Sequence, residues 1–86
     1  MKKLLNTLYV TSEDAFLALD GENIVVHFAD DTEKAIPLHL LSSVVSFSYK
    51  GATPALMGKG VQSGVAMAFY TPQGRFLCQV GNETAG

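Results

Sequence analysis

Four glycines, a lysine and a threonine crowd into "GATPALMGKGVQSG", Gly51 to Gly64. Loops that grip phosphate use such residues: backbone N–H groups and a lysine hold the oxygens, and a hydroxyl after the lysine holds Mg²⁺. The spacing here does not serve that chemistry. Gly58-Lys59 is followed by Gly60 instead of a hydroxyl, and six residues, where the motif needs four, separate Gly51 from Gly58. Gly58 to Gly64 is also one residue too long for a dinucleotide turn, and the only acid beyond it is Glu83. His27 lies near Asp30, Asp31 and Glu33, donor types that could ligate a divalent cation. Those acids fall in a polar loop that water solvates without a metal. His39 in "PLHLL" has no nucleophile beside it and reads as a turn or boundary residue. Glu13-Asp14 and Asp30-Asp31 read as solvated turn tips, not paired catalytic carboxylates. Cys78, the single cysteine, has apolar neighbours and no base nearby, the setting of a buried thiol. Lys50, Lys59 and Arg75 are the candidate DNA contacts, with Arg75 foremost because a hairpin tip presents it outward. These residues assemble no catalytic or metal centre by themselves.

The totals narrow the class. Eighty-six residues make one small domain with one core, and 48% hydrophobic against 16% charged is apolar for that size. The excess implies a face buried by something outside the chain, such as a second copy or another domain. A homodimer held by sheet edges or by an apolar sheet face is expected. Eight acids against six bases give a net charge of −2, without the basic footprint of a free-standing nucleic-acid binder. A lone cysteine fits a reducing compartment. "MKKLLNTLYV" starts like a signal peptide, but Asn6 and Thr7 interrupt its apolar run and no small-residue cleavage site follows. A cytoplasmic location is expected.

The elements that must position these residues are mostly strands. Apolar runs at Leu5 to Val10, Ala15 to Leu19, Asn23 to Phe28, Ala35 to Leu38, Val44 to Tyr49, Val65 to Tyr70 and Phe76 to Val80 alternate or are short enough for strands. Asp20-Gly21 marks a hairpin, of type I′ or with a glycine bulge. Pro37 confines its strand to an edge or an end. Pro-Gln-Gly at residues 72–74 marks a second hairpin. Thr53 caps a helix over residues 54–63, Pro54 suits its first turn and Gly64 its end. Ala55, Leu56, Met57 and Val61 form its apolar side, and Gly58 and Gly60 imply close approach to another backbone. The fold expected is mainly β: a small antiparallel sandwich-like domain of six or seven strands with one helix, over residues 1–80. Residues 81–86, "GNETAG", read as the start of a linker.

"LNTLYV", "LALDGENIVV", "IPLH", "VVSF" followed by "GATPALMG", and "TPQGRF" stand in an order and spacing with a family precedent. Together they resemble the N-terminal domain of the CRISPR-associated integrase-endonuclease of spacer acquisition, most closely its type I-C branch. The likeness runs from Leu4 to about Glu83. It implies a β-rich N-terminal domain with one helix, followed by a helical C-terminal domain that holds Mg²⁺ or Mn²⁺ through Glu, His and Asp. None of those ligand positions exists in this chain, so it carries no cofactor of its own and is expected to be inactive alone. The resemblance also implies a homodimer, a small second adaptation protein that bridges dimers, and double-stranded DNA as substrate of the full-length protein. "GKGVQSGVAMAFY" is richer in glycine than the family segment. The residues read without the resemblance leave a second class open: a stand-alone β-barrel or sandwich binding module unrelated to CRISPR.

Overall fold

A strand that meets its partner through a two-residue loop needs positive φ at the turn, and Gly21 supplies it at φ 63°. Residues 6–81 are described in the computed structural model. They form seven strands, β1 (Thr7–Val10), β2 (Phe16–Asp20), β3 (Asn23–His27), β4 (Glu33–Pro37), β5 (Ser43–Ser46), β6 (Ala66–Tyr70) and β7 (Phe76–Val80). One helix, α1 (Pro54–Ser63), lies between β5 and β6, and a 3₁₀ turn spans Leu38–Leu40. Among the described non-glycine residues only Asp31 has positive φ, so the Gly21-Glu22 turn follows the type II′ pattern rather than type I′. Residue 5, taken above as a strand start, and the expected linker beyond Gly81 lie outside the described residues.

The strands form two sheets. β2-β3-β4 is an antiparallel meander; the larger sheet has the order β1-β5-β6-β7. An antiparallel architecture holds for the meander and for β6–β7, but β1–β5 and β5–β6 run parallel. Parallel neighbours need long crossovers. The meander supplies the first, and residues 47–65 with α1 supply the second. The β4 strand begins at Glu33, two residues earlier than its apolar run, because Glu33 and Lys34 pair with His27 and Val26.

The core lies between the sheets. Leu17, Ile24 and Val26 from the meander meet Val10, Val44, Met67 and Phe69 from the larger sheet, all at most 4% exposed. Burying each such side chain contributes roughly 1.5–3 kcal/mol. The alternation in β5 and beyond resolves toward its polar side: Val44, Ser46 and Ser48 point in, while Val45, Phe47 and Tyr49 face out to different degrees. The buried serines satisfy one another. Their hydroxyls lie 3.2 Å apart, and Ser48 Oγ accepts from the Gly51 N–H at 3.3 Å.

α1 closes one end of the core, packing on β2, β6 and the 3₁₀ turn. Thr53 Oγ1 accepts from the Leu56 N–H at 3.2 Å, and Gly64 (φ 76°) ends the helix with its N–H on Gly60 and Val61 carbonyls. Leu56 and Gly60, four apart, form the buried stripe. Met57 is partly buried, but Ala55 and Val61 are exposed, so the apolar side is narrower than the sequence suggests. The two internal glycines also part company. A methyl at Gly60 would meet Met67 Cε and the Val65 carbonyl, whereas one at Gly58 would meet nothing.

Thr53→Ala is expected to lower unfolding free energy by about 1 kcal/mol in a urea titration, through loss of the cap; an unchanged midpoint would reject the cap's role. Gly58→Ala is expected to raise it by up to about 1 kcal/mol through helix propensity. In Gly60→Ala the same gain is opposed by the clash with Met67, so Gly60→Ala must be less stable than Gly58→Ala. The reverse order would mean the helix does not touch β6 at Gly60.

Candidate functional site

The β6–β7 hairpin tip is held by its own turn. The Thr71 N–H donates to the Arg75 carbonyl at 2.8 Å, and the Arg75 N–H donates to Thr71 Oγ1 at 3.0 Å. That lock leaves the Arg75 side chain exposed. Gln73 Nε2 donates to Tyr49 Oη at 3.1 Å, joining this tip to the turn that carries exposed Lys50. Two of the three expected DNA contacts, Arg75 and Lys50, therefore sit on neighbouring loops. Lys59 is elsewhere: its Nζ lies 3.1 Å from Glu22 Oε2 in the β2–β3 turn. An ion pair so exposed on its acid side contributes about 1 kcal/mol at most. The positive patch is small, and the Glu13 backbone, which accepts the Tyr49 N–H at 2.9 Å, brings an acidic turn beside it.

The residues weighed for catalysis do not converge. His27 Nδ1 lies 3.2 Å from Glu33 Oε1, a cross-strand pair on the outer face of the meander with both side chains exposed. His39 is exposed in the 3₁₀ turn. Asp30 Oδ1 accepts from the Thr32 hydroxyl at 2.6 Å and the Thr32 N–H at 3.1 Å, and these bonds hold its carboxyl below the usual carboxylate range. Because the folded value is lowered, this loop's stabilisation is present above the unfolded carboxylate's range and is lost as pH falls through the folded one. A hollow of about 640 Å³ separates the Ser12–Ala15 segment from residues 28–32, and Glu13, Asp14 and Asp30 on its rim would repel phosphate. Among the described residues, no group of three or more His, Cys, Asp or Glu could hold a metal ion. These residues therefore do not fit a catalytic divalent cation. No helix of the described residues is long and apolar enough to cross a membrane.

Cys78 is exposed, not buried. Its apolar neighbours Phe76 and Leu77 are 53% and 55% exposed as well, because β7 is an edge strand that reaches past the cover of the smaller sheet. Local hydropathy cannot reveal an edge. A second feature was missed for the same reason. Rings of Phe47, just past the end of β5, Tyr70 in β6 and Phe76 in β7 line up, stacked at 5.1 Å and then edge-on at 5.4 Å, on the outward side of the larger sheet. The Val45, Phe47, Tyr49 alternation was its one trace in the sequence.

The sequence comparisons with known proteins point to one family, and the solved structures share the fold. The family model described as "CRISPR associated protein Cas1" matches residues 8–86. The chain is 41% identical over all 86 residues to a CRISPR-associated endonuclease Cas1 of Chlorobaculum tepidum, and covers 25% of that protein. Among solved structures it is similar to a chain of a Cas6-RT-Cas1–Cas2 complex, with TM-score 0.81 and 17% identity over 96% of this chain and 9% of that one. It is likewise similar to a chain of a TtCas1–DNA complex, with TM-score 0.74 and 20% identity over 94% of this chain and 30% of that one. The chain thus spans about a quarter of the length of the curated relatives it matches. Seven strands in two sheets with a single crossover helix, and a sequence match along nearly every residue of them, place this chain in the Cas1 family, as its N-terminal region.

Proposed function

We propose that this chain is the N-terminal dimerisation and scaffolding domain of a DNA endonuclease-integrase that inserts foreign DNA spacers into a CRISPR array in the cytoplasm. The observation that carries this reading is the 41% identity, end to end, with a relative named as a Cas1 endonuclease. Family membership sets aside the alternative of a binding module unrelated to CRISPR. The type I-C branch is the assignment that the motif order favours. The catalytic cation, Mg²⁺ or Mn²⁺, belongs in this reading to the remainder of the full-length protein, since the described residues here offer no ligand set.

Partners follow from the same reading. A small second adaptation protein is supported by the structural neighbour's complex with Cas2, and double-stranded DNA by the neighbour's complex with DNA. A homodimer is supported by the apolar groups this fold leaves in water, among them Tyr9 at 64% and Phe76 at 53% exposed. DNA engages the full-length protein chiefly outside this domain, with Arg75 and Lys50 as the local phosphate contacts.

Two measurements test this. The isolated chain is expected to neither cut nor join DNA with Mg²⁺ or Mn²⁺; metal-dependent cleavage that a His27→Ala variant loses would overturn the assignment of catalysis to the rest of the protein. Its affinity for duplex DNA is expected to be weak. With two phosphate contacts, log affinity should fall against log salt with a slope of about −2, reduced by about 1 in Arg75→Ala. Tight binding that persists at high salt would mean that DNA is read by another surface.

A further inference from the structure

We propose that, in the longer protein of which this chain is read as the N-terminal domain, the outward face of α1 is where the sequence following residue 86 folds back and packs. The first observation is missing charge. At about 100° per residue, Pro54, Ala55, Gly58, Val61 and Gln62 fall within about 120° of arc, opposite the buried Leu56 and Gly60. All five are exposed, Val61 at 49%. A helix side that stays in water ordinarily carries charged residues. This one has none: Lys59, the single charged residue of α1, lies off the arc and is tied to Glu22. Leu40, 50% exposed, extends the apolar surface from the 3₁₀ turn against which α1 packs.

The second observation is Gly58, at the middle of that arc. A glycine inside a helix costs backbone entropy, which close packing offsets. Gly60 has that reason within this domain, since a Cβ there would meet Met67 and the Val65 carbonyl. Gly58 has none among the described residues. A flat spot at the centre of an uncharged face admits a close approach from outside. The third observation is where the polypeptide leaves. Gly81 has φ 104°, and a Cβ on it would lie 3.1 Å from Ala66 Cα and 3.2 Å from the Val65 carbonyl oxygen. The chain is thus held against the segment that directly follows Gly64, the cap of α1. From there, the sequence after residue 86 begins within about 20 Å, and most of the length of the curated relatives lies outside the matched quarter.

Size selects a tethered occupant over a free one. Ten residues of helix make a strip about 15 Å long and about 10 Å wide. A separate protein needs roughly 800 Å² on each side for a stable contact, several times what this strip offers. A segment joined to the same chain needs far less, because a short tether holds it at an effective concentration of about millimolar.

Thiol labelling tests this. Gln62→Cys is placed in a Cys78→Ser background, both in the 86-residue chain and in the full-length protein, and its reaction with N-ethylmaleimide is followed by peptide-resolved mass spectrometry. The rate is expected to be about tenfold or more slower in the full-length protein. Ala35→Cys, on the outer face of the meander, is expected to react at rates within about threefold in the two proteins. Gly58→Gln meets open space in the short chain and is expected to leave its circular-dichroism melt in place. In the full-length protein it is expected to return the position-62 rate to within about threefold of the short chain's. Equal position-62 rates in the two proteins, or protection that survives Gly58→Gln, overturn the proposal. Protection in the short chain that grows with its concentration means that a second copy sits there, and overturns it too. Protection that appears only on adding another protein does the same. A full-length protein that protects position 62 yet fails to join DNA leaves this contact standing and rejects the integrase reading, so the two fail separately.

Discussion

Leu17 makes two backbone hydrogen bonds on which the rest of the structure depends. Its N–H donates to the Gly51 carbonyl and its carbonyl accepts from the Thr53 N–H, both at 3.0 Å. They fill the open edge of β2 with a segment that has just left β5, so the two sheets are joined by covalent chain and by hydrogen bonds at one point. The helix begins at the very next residue, Pro54, with Thr53 as its cap. Because Leu17 is fully buried, its backbone groups have no water to turn to, and losing this bridge would leave both unsatisfied. α1 can lie across β2 and β6 only from that starting point, and β6 can then return only parallel to β5.

The same crossover explains why polar residues entered the core. Ser46 and Ser48 lie on the chain as it turns from β5 toward Gly51, and their hydroxyls bond to each other and to backbone N–H groups along that turn. Two buried hydroxyls would each cost one to several kcal/mol without partners. Paired as they are, they define the turn's shape. The larger side chains of the alternation, Val45, Phe47 and Tyr49, are thereby sent outward, and with Tyr70 and Phe76 they give the larger sheet an aromatic outer surface. Part of the apolar load in the composition therefore lies on the outer side of the larger sheet.

Charge is distributed by the opposite logic. Acids cluster in the turns at residues 13–14 and 30–31, where water solvates them, and Asp30 also closes its loop through Thr32. Among the described residues the cations are few; Lys50 and Arg75 sit on neighbouring loops, and Lys59 is tied to Glu22.

The sequence by itself determined the local parts. Thr53, Pro54 and Gly64 bracket the helix because capping and left-handed φ are properties of single residues. Gly21 marks its hairpin for the same reason, and the runs from Asn23 and from Phe76 are strands because alternation or brevity needs no partner to be read. The order of the motifs was enough to suggest the family. What the tertiary structure decided is whatever depends on neighbours distant in sequence. Whether β5 pairs parallel or antiparallel, whether its serines or its aromatics go inside, and whether Cys78 is covered are settled by which strand lies alongside and which sheet lies above. The same holds for Gly58 and Gly60, alike in sequence: only the second faces Met67, because rotation about the helix axis separates them by about 200°.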